Sequence, residues 1–165
     1  MHQIHKGLAA MKKMSRVNEH GRKLPDWIID EKYRSVTVDC EEIRVQRKFS
    51  DPAAEFSDDS LAGADTVAFH FMTPDAAAWW LPRYLRFVAE QAASNSNHHT
   101  HIEGLLTSPR FLSSVRPLLS DKENMEVKAY IEWCDRSLSS PVSRRVHEES
   151  LRTMKLLWGM DVDEL

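Results

Sequence analysis

The chain has 165 residues, with 22 Lys and Arg against 25 Asp and Glu for a formal net charge of −3, and only two cysteines. This length supports one domain that buries roughly two thirds of its unfolded surface, and the near-balanced charge argues against nucleic acid as a general partner. No run approaches about 18 apolar residues, no charged-then-apolar leader is visible in the sequence, and Cys40 and Cys134 lie far apart without metal-ligand spacing, so a cytoplasmic protein without disulfides or a membrane partner is expected.

Residues 1–24 place Lys6, Lys12, Lys13, Arg16, Arg22 and Lys23 against one acid, Glu19. They read as a flexible basic segment ahead of a single helical domain over 25–165. Tyr33 to Val38 alternates like a short strand, and Asp39 followed by Glu41, Glu42 and Ile43 predicts a capped helix over 39–48. From Asp51 to Asp75 every Asp, Glu, Lys or Arg is an acid; 50–60 is rich in turn residues, and 61–71 is a predicted helix. Thr73, Pro74 and Asp75 then supply an N-cap, a first-turn proline and a charge matched to the helix dipole. Downstream, Trp80, Tyr84 and Phe87 share one helix face and Leu81, Leu85 and Val88 the next, while Pro82 predicts a bend or a break at about 3 kcal/mol.

Residues 95–101 read as a polar loop, Ile102, Leu105 and Leu106 as a short helix stopped near Pro109, and 110–119 as an apolar connection of open state. Ser120 and Glu123 form a capping box for a helix over 120–138, whose apolar positions include Val127, Tyr130, Ile131 and Cys134. Ser140 and Pro141 start a second helix over 141–158, with Val142, Val146, Met154, Leu157 and Trp158 as its stripe and Gly159 as its stop. The predicted fold class is all-α: a compact single-domain helical bundle with a proline-broken central helix.

Signatures of nucleophilic hydrolases, dinucleotide or phosphate loops, zinc proteases and calcium loops are missing from the sequence, so no catalytic residue, cofactor or metal is expected. His98, His99 and His101 with Glu103 offer metal-ligand chemistry, but neighbours in a polar loop diverge, and a solvated loop is the expectation. His70 between two phenylalanines reads as a hydrogen-bonded core histidine, His147 as part of a solvated charged face, and Trp79, Trp80, Trp133 and Trp158 as core. The cysteines read as buried thiols.

The string FMTPDAAAWWLPRYLRFVAE, through Phe71, Thr73, Pro74, Leu81, Pro82, Tyr84 and Leu85, resembles the F-[LM]-[TS]-P-[ED]-A then L-P-x-Y-L signature of a small bacterial family of uncharacterised proteins. Leu119, Ser120 and Trp133 resemble its second element. The resemblance covers about residues 65–135 and implies a bacterial, mostly helical protein. The functional expectation is a non-catalytic protein-binding protein, in its most concrete form an immunity protein that neutralises a basic toxin or effector. Asp51, Glu55, Asp58 and Asp59 are its expected partner face. The alternatives are a helical DNA-associated regulator carrying Arg144, Arg145, Arg152 and Lys155 on its last helix, and an unrecognised enzyme.

Overall fold

The computed structural model describes residues 16–33, 41–56, 63–91, 97–137 and 141–162, without the side chains of 41, 63–66, 91, 97–101 and 143. Among them seven α-helices form an all-α fold: α1 (Glu41–Phe49), α2 (Gly63–Phe71), α3 (Pro74–Gln91), α4 (Asn97–Leu106), α5 (Pro109–Ser114), α6 (Asp121–Ser137) and α7 (Pro141–Leu157). Helix α3 packs on α6, α6 on α7, and α4 on both α2 and α7. The expected strand at 33–38 lies outside the described residues, except Tyr33, which closes a 3₁₀ turn.

Helix α3 starts as its sequence dictates. Thr73 Oγ1 accepts the Ala76 N–H at 3.2 Å, the Thr73 carbonyl accepts that of Ala77 at 2.9 Å, and Pro74 occupies the first position, where no N–H is needed. Of the bend or break expected at Pro82, the break does not occur: α3 is one helix of 18 residues with Pro82 inside it. Pro82 cannot give the Ala78 carbonyl its usual donor. The opposing term is burial, because Trp79, Trp80, Leu81, Tyr84, Leu85 and Val88 on both sides of the proline are all in the core, and each large apolar side chain contributes about 1.5–3 kcal/mol.

An irregular strap, residues 16–30, crosses the bundle and contributes Leu24, Ile28 and Ile29 to the core. Its backbone polar groups find partners one by one. The N–H groups of Ile28 and Ile29 donate to Gln46 Oε1 at 2.8 and 3.1 Å, the Ile28 carbonyl accepts the Thr73 N–H at 2.7 Å, and the Asp30 N–H donates to the Phe71 carbonyl at 2.8 Å. Arg16 donates to the carbonyls of Pro25 and Ser50. Of the basic segment 1–24, residues 1–15 lie outside the described residues.

The capping box forms in both directions: the Glu123 N–H donates to Ser120 Oγ at 3.3 Å and the Ser120 N–H to Glu123 Oε2 at 2.8 Å. Helix α7 closes through Gly159 at φ +64, where the Met160 N–H reaches the Lys155 carbonyl and the Gly159 N–H reaches that of Leu156. A Cβ at Gly159 would meet nothing within 4 Å. Gly159→Ala should therefore cost only the left-handed backbone strain, about 1 kcal/mol, as a shift of the urea midpoint at constant slope.

Two helix readings need correction. On α7 the buried residues are Leu151, Met154 and Trp158, while Val142 and Val146 are 75% and 69% exposed. At about 100° per residue Val142 lies opposite Leu151, so the five apolar positions never formed one stripe. Trp133 on α6 is only partly buried, its ring 5.7 Å from that of Tyr130, so Trp133→Ala should cost clearly less than the ~3–5 kcal/mol of a fully buried indole. The open connection at 110–119 resolves into α5 and a 3₁₀ turn at Arg116–Leu118, where Phe111, Val115 and Leu119 are buried.

Candidate functional site

A cleft of about 620 Å³ opens between the strap, the turn that follows α1, and one face of α3. Its apolar lining includes Phe56, Trp79, Pro82 and Phe87, and the rings are fixed from behind. Phe56 packs 4.7 Å from Tyr84 and 5.4 Å from Phe87, and Trp79 Nε1–H donates to the Arg16 carbonyl at 3.2 Å.

The cleft also carries three carboxylates, Glu19, Glu55 and Glu90, against two guanidiniums, Arg83 and Arg86. Both arginines are already engaged. Arg83 donates to the Pro52 carbonyl at 2.6 Å and lies over the Trp80 ring at 5.4 Å. Arg86 sits 2.6 Å from Glu19 Oε1 and 3.9 Å from Glu126 Oε2, and its hydrogen bond holds the Glu19 carboxyl below the usual glutamate range against the opposing effect of burial. Glu55 and Glu90 are exposed and form no ion pair with any described residue. Three carboxylates against two guanidiniums leave the lining with a small excess of negative charge over an aromatic floor.

The structure separates the four expected partner-face residues. Glu55 lines the cleft. Asp51 is exposed but spends its carboxylate locally, accepting the Ala53 N–H at 2.9 Å within a turn closed by Ala54 N–H to the Asp51 carbonyl. Asp58 and Asp59 lie outside the described residues. Arg83, Arg86 and Glu90 escaped the sequence reading, although their spacing of three and four along α3 marks a polar stripe on an otherwise apolar helix.

The other candidate residues have structural surroundings. His70 is exposed rather than core; its carbonyl accepts Arg110, and burial against its neighbours, followed by the charge of Arg110, pushes its imidazole below the ordinary histidine value. His147 does not sit on a wholly solvated face, because its Nδ1 lies 3.0 Å from Glu103 Oε1 and ties α7 to α4. The expected polar loop at 95–101 is helical from Asn97 onward, and the side chains of His98, His99 and His101 lie outside the described residues. Cys134 is buried and its thiol is pushed up to about 12 by burial, the opposite of an activated nucleophile; Cys40 is not among the described residues. Trp79, Trp80 and Trp158 are core. On the face assigned to DNA, Arg144 and Lys155 both go to Asp135, at 3.5 and 2.7 Å; Lys155 is mostly buried there, while Arg144 stays exposed.

No family model, curated protein or solved structure matches the chain. No described helix is long and apolar enough to cross a membrane.

Proposed function

We propose that this is a non-catalytic binding protein whose cleft receives a basic segment of another protein, and that it acts as an immunity protein neutralising a basic toxin or effector. One observation carries the reading: Glu55 and Glu90 stand without ion-pair partners among the described residues beside the aromatic floor of Phe56, Trp79 and Phe87, while both cleft arginines are engaged internally. The part-exposed Phe87 ring offers apolar contact area over the buried rings of Phe56 and Trp79, and the exposed carboxylates steer and orient a cationic partner.

The test compares association of the wild type and Glu55→Gln/Glu90→Gln with the protein encoded by the adjacent gene, across a range of ionic strength. Removing two rim charges should slow association by about tenfold or less at low salt and flatten its salt dependence, with little change in dissociation. Identical association of both proteins at every salt concentration would exclude this cleft.

A further inference from the structure

We infer that Glu19, His20 and Glu126 form a site for a first-row divalent metal ion of the zinc class, clamping the strap onto α6. One ligand atom from each of these residues lies within 4.8 Å of the other two. Sequence neighbours such as Glu19 and His20 usually diverge; here a turn makes them converge. Asn18 Oδ1 accepts the N–H groups of both His20 and Arg22 at 3.0 Å, the Asn18 N–H donates to the Arg22 carbonyl, and Gly21 adopts φ +76. Glu126 approaches from α6.

The independent observation is the imidazole. The His20 side chain is only 8% exposed, and its Nε2 is buried without a hydrogen-bond partner. Glu126 Oε1 stands 2.9 Å away and Glu19 Oε1 3.7 Å away, yet neither oxygen meets the geometry of a bond along the Nε2 axis. The nitrogen thus has ion-pair neighbours but no hydrogen-bonded partner, an unfavourable state for a buried polar atom. An ion on that axis would bond to the nitrogen and draw on the flanking carboxylates. One imidazole nitrogen with two carboxylate oxygens suits zinc and its neighbours, whereas calcium and magnesium take oxygen shells. Three protein ligands leave a fourth position for water.

Arg86 supplies the positive charge between these carboxylates, at 2.6 Å from Glu19 and 3.9 Å from Glu126. Its side chain is 48% exposed and reaches in from α3, so a metal ion competes with it rather than with a buried group. The site shares Glu19 and Arg86 with the rim of the cleft, but its test does not rest on the cleft proposal, since zinc binding requires no protein partner.

The experiment titrates zinc chloride into the full chain by calorimetry and follows thermal unfolding with and without zinc. The wild type should bind zinc and melt at higher temperature in its presence. His20→Ala and Glu126→Gln should each lose more than the roughly 10–100-fold that removal of a mere supporting hydrogen bond costs at a metal site, and Arg86→Met should bind at least as tightly as wild type. Should His20→Ala fail to fold, Glu126→Gln and Arg86→Met decide. Absence of zinc-dependent stabilisation in the wild type, or equal zinc affinity in wild type and Glu126→Gln, would overturn the assignment, the second result moving the metal to other histidines.

Discussion

Trp80→Ala is expected to destabilise the protein by about 3–5 kcal/mol, a large share of the roughly 5–15 kcal/mol by which a domain of this kind is stable. Trp80 is fully buried on α3, its ring 5.2 Å from Phe49, 5.7 Å from Phe56 and 4.6 Å from Trp79. Its Nε1–H donates to the Phe49 carbonyl at 3.1 Å across 31 residues of sequence. Truncation would leave a cavity where three aromatic contacts meet and deprive the last carbonyl of α1 of a donor. Trp80→Phe keeps most of the ring volume and should lose clearly less. Urea titration by circular dichroism reads both, and a loss below about 1 kcal/mol for the alanine variant would show that α1 and α3 are not joined through this indole.

Glu123→Ala should cost a similar amount, about 3–5 kcal/mol, for an electrostatic reason. Glu123 is 1% exposed and is the one charged residue in the buried class among those described. Arg22 grips it in bidentate fashion, Nε to Oε1 at 3.0 Å and Nη2 to Oε2 at 2.8 Å, while Nη2 also donates to the Leu118 carbonyl at 2.5 Å. The same carboxylate serves the capping box, so its removal strands a mostly buried guanidinium and uncaps α6 together. Burial pushes the Glu123 carboxyl up, but the hydrogen bonds from Arg22 and Ser120 outweigh it and hold the group below its ordinary 4.5.

A depressed carboxyl contributes stability that is complete above its unfolded value and disappears as pH falls through its folded value. Wild-type stability should therefore decline below pH about 4.5, and the part of that decline due to this group should be missing in Glu123→Ala. Urea midpoints measured at descending pH check the sign. Parallel pH profiles for wild type and variant would contradict the depressed carboxyl.

Local signals were legible where one residue type performs one backbone task. Thr73 and Pro74 opening α3, the Ser120 and Glu123 box, and Gly159 at φ +64 all appear in the sequence and in the fold. What escaped depended on long-range partners. The uninterrupted α3 reflects core burial on both sides of Pro82, which no local rule contains. Arg22 read as part of a basic run and is instead a partner of Glu123, 101 residues away. The cleft joins residues near 19, 55 and 86, so Glu55 was recognisable as an acid but its setting beside Phe56 and Arg86 was not. Glu19 and His20 gained meaning only when Glu126 approached them.

Hydrogen exchange of the complex with the adjacent gene's product tests the central claim most directly, because it reports where the partner sits. The cleft reading predicts added protection at residues 17–19, 52–56 and 82–90, and none on the outer face of α7, where Val142, Val146 and Leu156 are exposed. Protection confined to that α7 face, or no complex at all, would contradict it.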